Sequence, residues 1–152
     1  MQTRTHIVIG LAIALYFLPY INHKVLFLPI VLLASLLPDI DSSYSYLGSK
    51  PYFRPLQFFA SHRGFIHSYT LCIFLLFILI YFYPPLGLPF FLGYSFHLFA
   101  DSFTIEGIAP FWPFKANSNG IVSTGGVLDN TIFSVFAIID IALVIFFALR
   151  LF

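Results

Sequence analysis

The chain has 152 residues, of which 60% are hydrophobic and only 9% are charged. Typical soluble domains contain roughly 45–50% apolar and about 25% charged residues. A soluble fold of this size could not cover its surface with so few charges, so lipid must be the solvent for much of the chain. The net charge of +1 provides no basic face of the kind that nucleic acids require, and we expect no nucleic-acid partner.

Five apolar segments follow one another along the chain. Each is expected to be a helix, because a segment in lipid must satisfy its own backbone hydrogen bonds. In chain order the segments are Ile7–Ile21, Val25–Leu37, Phe65–Tyr83, Leu86–Ala100 and Thr131–Phe152. The third and fifth reach the length of about 20 residues that spans a bilayer, whereas the other three also fit core or re-entrant helices. The predicted fold is an all-α integral membrane bundle of about five helices, a single domain over residues 1–152.

Histidine and aspartate are concentrated at the ends of these segments, although ionisable residues within membrane chains are rare and usually functional. Short turns, such as residues 22–24, require neighbouring helices to alternate in direction. The same membrane face then holds the starts of helices one, three and five and the ends of helices two and four. Eight potential metal ligands lie at these ends: His6, Asp39, Asp41, His62, His67, His97, Asp101 and Asp129.

The residue types and their spacing predict a metal site at this face. His97 and Asp101 are four residues apart and therefore share one side of a helix. Imidazole together with carboxylate suits zinc, manganese or iron. Since one tetrahedral zinc takes about four ligands, seven or eight ligands predict two or three divalent transition-metal ions, with zinc the first choice. Asp129 is equally well explained as an N-cap, and the sequence leaves both roles open.

Several of these residues belong to motifs that resemble a known family. The motifs are Leu36-Leu37-Pro38-Asp39-Ile40-Asp41, His62-Arg63-Gly64-Phe65-Ile66-His67-Ser68, and Gly93-Tyr94 with His97 and Asp101. They resemble the YdjM-type family, described as LexA-binding, inner-membrane-associated, metal-dependent hydrolases. That family is similar in turn to the zinc phospholipase C and P1 nuclease superfamily. Thr124-Gly125-Gly126 followed by Asp129 resembles a further family element, in which the acid is commonly Glu.

The resemblance implies metal-assisted hydrolysis, and we expect a membrane-bound hydrolase that cleaves a phosphoester of a lipid or lipid-linked substrate. A metal-activated water would attack the phosphoryl group, with Asp41 as the first candidate to orient it. Arg63 would hold a phosphate oxygen, or would simply mark the cytoplasmic face. The alternatives are a metal-ion or proton transporter, whose site usually lies near the midplane, and a non-catalytic partner-binding membrane protein with a structural metal site.

Basic residues predict the orientation of the bundle, because cytoplasmic loops are enriched in lysine and arginine. Five basic residues lie on the ligand side: Arg4, Lys50, Arg54, Arg63 and Lys115. Two lie on the opposite side: Lys24 and Arg150. We therefore expect a multi-pass protein of the inner cell membrane, with its metal site facing the cytoplasm.

Overall fold

The computed structural model describes residues 1–42, 45, 48–59, 63–114 and 116–150, and every regular element in these ranges is helical. The helices are α1 (Thr3–Phe17), α2 (Lys24–Ala34), α3 (Arg54–Phe59), α4 (Tyr69–Phe82), α5 (Gly87–Ser102) and α6 (Val127–Arg150). Five of them correspond to the five apolar segments, and α3 is a short addition in the polar loop. The predicted all-α bundle is therefore confirmed. His62 and Lys115, which carry two of the predictions above, lie outside the described residues.

Short 3₁₀ turns that begin at or near a proline separate the helices. Proline lacks a backbone N–H and cannot continue a helix without losing a hydrogen bond. The turn Pro38–Asp41 therefore follows α2, and the turn Pro84–Leu86 follows α4. The first of these turns carries Asp39 and Asp41 at the end of α2, where the sequence predicts them.

Helix α4 is shorter than the apolar run Phe65–Tyr83, which predicts a membrane-spanning helix. Residues 63–68 form turns instead, and Ser68 caps the helix by accepting a hydrogen bond from the Leu71 N–H at 3.2 Å. The 14 residues of α4 measure about 21 Å at 1.5 Å per residue, less than the ~30 Å hydrocarbon core. Residues 65–68, which are turns where the sequence predicts helix, are the segment that positions His67.

Two other stretches are long and apolar enough to cross a membrane. The first is Thr3–Tyr20, in which α1 continues directly into a 3₁₀ turn, and the second is α6. Most side chains of α6 are exposed, which suits a helix that faces lipid. The sequence places α1 among the shorter segments, because its apolar run begins at Ile7 while the helix itself begins at Thr3.

Helix α5 is the centre of the bundle, and it packs against α1, α2 and α4. The contact with α2 is close because Gly93 has no side chain. A Cβ added there would lie 2.2 Å from the backbone oxygen of Val31 and 2.8 Å from Ala34 Cβ. Helix α6 packs against α1. This arrangement places His97 and Asp101, near the end of α5, between the start of α1 and the end of α2.

Replacing Gly93 by alanine should destabilise the bundle, because the new methyl group would overlap the α2 backbone. We expect a lower midpoint of thermal unfolding in detergent, equivalent to about 1–3 kcal/mol, the usual cost of overpacking. Gly87→Ala, in the same helix, is the matched control, since the atoms nearest to its methyl group belong to the flexible side chains of Ile80 and Leu76 and not to a helix backbone. Equal destabilisation by the two variants would contradict the packing described.

Candidate metal centre

Five of the eight predicted ligands lie together at the end of the bundle where α1 begins and α5 ends. All five are buried, and the most exposed of them retains 8% of its accessible surface. Their potential ligand atoms form two overlapping groups, each within 4.8 Å. One group contains His6, Asp39 and His97, and the other contains His67, His97 and Asp101. The convergence that alternating helices predict is present in the structure.

Hydrogen bonds to the outer ring nitrogens orient two of the histidines. His97 Nδ1–H donates to the carbonyl oxygen of Ser35 at 2.7 Å, and His67 Nδ1–H donates to Asp41 Oδ2 at 2.9 Å. With the proton on Nδ1, each Nε2 keeps a lone pair. The two Nε2 atoms face each other across 3.4 Å. Two lone pairs at this distance repel each other, so the arrangement favours a cation bound by both nitrogens.

Two carboxylates surround these nitrogens. Asp39 Oδ1 lies 3.8 Å from His97 Nε2 and 4.0 Å from His67 Nε2. Asp101 Oδ2 lies 3.8 Å and 3.7 Å from the same two atoms. Zinc binds nitrogen and oxygen at about 2.0–2.2 Å, so neighbouring ligand atoms in a tetrahedral site lie roughly 3.3–3.6 Å apart. The five distances among these atoms, from 3.4 to 4.0 Å, are within a few tenths of an ångström of that spacing.

His6 extends the cluster on the side of α1. Its ring stacks on that of His97, with centroids 3.8 Å apart, and its Nε2 lies 3.3 Å from Asp101 Oδ1. Within the described part of the chain, His6 Nδ1 has no hydrogen-bond partner, and Asp101 is the partner of Nε2. The Met1 amino group also approaches Asp101 Oδ1, at 2.5 Å. A buried polar group without a hydrogen bond is costly, and a metal ligated by His6 would offset that cost.

Asp41 lies behind His67 and belongs to neither ligand group. Its Oδ2 accepts the hydrogen bond from His67 Nδ1 and another from the backbone N–H of Arg63 at 3.1 Å. A carboxylate in this place fixes the ring of a metal-binding histidine and makes its inner nitrogen more basic. The geometry therefore gives Asp41 a role in positioning His67, while the roles of direct ligand and water-orienting acid predicted from the sequence stay predictions.

Asp129 is at the same end of the bundle but outside both ligand groups. It is fully buried, and its carboxylate accepts hydrogen bonds from Gln2 N at 3.0 Å, Thr5 Oγ1 at 2.7 Å and Gly125 N at 2.8 Å. These bonds tie the start of α6 to the start of α1. Asp129 lies in the first turn of α6, two residues after the helix begins, so it is not the N-cap residue that the sequence offers as one role; the metal-ligand role stays a prediction.

Arg63 forms one wall of the centre. Its backbone has a φ of 59°, a left-handed conformation that is uncommon outside glycine. Its Nη2 lies 3.2 Å from Asp101 Oδ2, and its Nε lies 3.1 Å from Oε2 of Glu106, whose side chain is 60% exposed. Nη1 donates to the carbonyl oxygen of Gly107 at 3.0 Å. The guanidinium is thus fixed against a buried ligand on one side and an exposed acid on the other.

A polar cavity of about 530 Å³ opens beside the centre. Asp39, Arg63 and Glu106 line it together with Ser42 and Thr124. Burial raises the pKa of the Asp39 carboxyl above its ordinary value, whereas a nearby metal cation would favour its charged form. The cluster is therefore enclosed by packed helices on one side and borders a polar cavity on the other.

Ser35 is a contact that no sequence pattern signals. It fixes the ring of His97 through a backbone carbonyl, and every residue has such an acceptor, so side-chain identity does not reveal it.

Asp140 lies elsewhere, in the middle of α6. It is 5% exposed, and its two oxygens have no hydrogen-bond partner among the described residues.

If the centre binds zinc, as its residue types predict, Asp41→Asn should lower zinc affinity about 10–100-fold, the usual effect of losing a carboxylate that supports a metal-binding histidine. Asp129→Asn is the matched control, and it should leave zinc affinity unchanged even where it weakens the α1–α6 contact. Zinc titration against a competing chelator, with the protein in detergent, measures both. A larger loss of affinity in Asp129→Asn than in Asp41→Asn would reverse the roles assigned to these two aspartates.

Comparison with known proteins connects this arrangement to a family. Residues 1–151 match the model of the family described as YdjM inner membrane protein. The inner membrane proteins YdjM of Escherichia coli (strain K12) and of Shigella flexneri are each 37% identical to the chain over 95 residues. These regions cover 56% of this chain and 48% of each relative, so the chain spans about half the length of the curated relatives it matches. No solved structure matches the chain.

Proposed function

We propose that this chain, which belongs to the YdjM family of inner membrane proteins, is a membrane-bound, metal-dependent hydrolase of phosphoesters. The observation that supports this most strongly is the pair of inward-facing nitrogens, His67 Nε2 and His97 Nε2, only 3.4 Å apart and surrounded by carboxylates. Buried imidazole and carboxylate groups in this arrangement suit a transition metal, with zinc the first choice.

The donors divide between two parts of the cluster. His97 can serve only one ion, because its Nδ1–H donates to Ser35. His67 and Asp39 would complete the set of ligands around that first ion. Asp101 has Oδ2 towards these residues and Oδ1 towards His6, so it is placed to serve a second ion together with His6. This division is consistent with the two or three ions predicted from the number of ligands.

The chain's own residues would position a phosphoester in the polar cavity. A bound divalent metal supplies an activated water near neutral pH and polarises a phosphoryl oxygen. Arg63 borders the cavity, and its planar guanidinium suits a phosphate group. Its contact with the exposed side chain of Glu106 is the one that a substrate phosphate would displace. Asp41 holds His67 in the orientation that keeps Nε2 directed at the centre.

The position of the centre supports a lipid or lipid-linked substrate. The ligands lie where helices begin and end, which is the level of the lipid headgroups if the long helices cross the bilayer. We propose that the protein is multi-pass and that this end faces the cytoplasm, because four basic residues of the described chain lie there: Arg4, Lys50, Arg54 and Arg63. A site at one end also differs from the midplane location typical of transporters.

His97→Ala and Asp101→Asn should abolish hydrolysis of bis(p-nitrophenyl) phosphate by the purified protein and lower its metal content. Both variants should still insert into the membrane, because the apolar spans are unchanged. His23→Ala is the control, since His23 precedes α2 at the opposite end of the bundle, and it should alter neither property. If His23→Ala proves as damaging as His97→Ala, the one-ended centre is wrong.

The proposed orientation can be tested with single cysteines at positions 24 and 50 in a Cys72→Ser background. A membrane-impermeant maleimide applied to the periplasmic side should label position 24 and spare position 50, because Lys50 belongs to the ligand end and Lys24 to the other. Labelling of position 50 alone would place the candidate centre on the outer side. Equal labelling of both positions would mean that residues 24–50 do not cross the membrane.

A further inference from the structure

An apolar cavity of about 550 Å³ lies between α1, α5 and α6. Its volume is within the range of roughly 300–1,000 Å³ found for small-molecule sites, and its lining is apolar throughout. The residues used below belong to this lining: Phe96, Phe99, Leu128, Ile132 and Phe136. We call it the apolar groove. The proposed chemistry at the metal centre makes no use of it.

The apolar groove runs along the helices from the level of the metal centre towards their middle. On α6 its lining extends from Leu128 to Phe136, about 12 Å at 1.5 Å per residue. On the side of α5 it extends from Phe103, the residue directly after the helix, back to Phe96. Because α6 begins at the ligand end of the bundle and α5 ends there, the two stretches cover the same depth.

The groove and the polar cavity are neighbours. A smaller cavity between them shares Glu106 and Thr124 with the polar cavity and shares Val122 with the apolar groove. Arg4 and Arg63 line the polar cavity together with the acidic Asp39 and Glu106, and the two guanidinium groups are the part of the lining that complements an anionic group. The combined space suits a molecule with an anionic polar end and an apolar tail that follows the helix axes.

The size of the groove limits what can fill it. A protein helix of 10 Å diameter and 12 Å length would need roughly 900 Å³, more than the groove provides. A single hydrocarbon chain is narrower and can follow the groove along its length. Lipid tails are as apolar as the side chains of membrane helices, so moving a chain from the bilayer into the groove involves little change in solvation.

We propose that the apolar groove binds one acyl chain of a membrane phospholipid and so directs its phosphate into the polar cavity beside Arg63. This inference rests on the proposed function, to which it adds the substrate class and the route of entry. Hydrophobic transfer contributes little to the binding free energy of the acyl chain, so the effect of the groove is to align the lipid. The phospholipid enters sideways from the bilayer between α5 and α6, and its phosphate stays at headgroup depth.

The test is photolabelling of the full chain reconstituted in phosphatidylcholine vesicles that contain a trace of phosphatidic acid with a diazirine in one acyl chain. After illumination, mass spectrometry should find the label concentrated on groove residues such as Phe96, Phe99 and Ile132. An excess of unlabelled dioleoyl phosphatidic acid should remove this labelling, and dihexanoyl phosphatidic acid should not. Labelling spread evenly over the outward face of α6, or unaffected by the long-chain competitor, would overturn the proposal.

A matched pair of substitutions on α6 adds a second readout. Ile132→Trp fills the groove and should reduce groove labelling about tenfold, a modest change in binding free energy. Ile138→Trp adds the same bulk at a position that is 67% exposed, and it should label like the wild type. Equal groove labelling in the two variants would contradict the assignment. The competition experiment uses the wild type, so the proposal stays testable even if Ile132→Trp fails to fold.

Labelling of the groove does not require catalysis. The groove assignment and the proposed hydrolase can therefore fail independently of each other. If the wild type is labelled in the groove but with zinc bound hydrolyses neither phosphatidic acid nor a phosphodiester, the hydrolase is wrong and the lipid site remains. If the wild type hydrolyses long-chain phospholipids and the Ile132→Trp and Ile138→Trp variants do so equally well, the groove assignment is wrong and the hydrolase remains.

Discussion

Two imidazole nitrogens held face to face are the constraint on which the rest of the centre depends. The Ser35 carbonyl and the Asp41 carboxylate take the outer N–H groups of His97 and His67, which leaves both inner lone pairs pointing at the same place. These two supports come from the end of α2 and the turn that follows it. The Gly93 contact, which brings α2 against α5, and the late start of α4 therefore both serve to bring the two rings together.

The sequence predicts the architecture well because lipid leaves few options for the chain. Five apolar runs must be helical, and their alternation brings the polar ends to one face, as the cluster of His6, Asp39, His67, His97 and Asp101 shows. The sequence could not predict which carboxylates point towards the cluster. Asp39 and Asp41 are two residues apart in one turn, and only the turn's geometry sends one to the cluster and the other behind His67.

Other differences between the sequence-based predictions and the structure also have local causes. The apolar run that predicts a spanning α4 contains the Ser68 cap, and hydrophobicity alone does not detect where a helix begins. Asp129 has three donors from the starts of α1 and α6, two of them backbone amides, and these are invisible to residue pattern. The neighbouring polar cavity also bears on function, since structural metal sites are closed whereas catalytic sites keep an open position.

X-ray absorption at the zinc K-edge, on detergent-purified protein loaded with zinc, tests the central claim most directly. The account predicts that the atoms bound directly to zinc are nitrogen and oxygen only, at about 2.0–2.2 Å, with additional scattering from the more distant atoms of histidine rings. This additional scattering should weaken in His97→Ala. A sulfur ligand near 2.3 Å would point to Cys72, the one cysteine in the chain, and would contradict the account. So would a spectrum without histidine or a protein that retains no zinc.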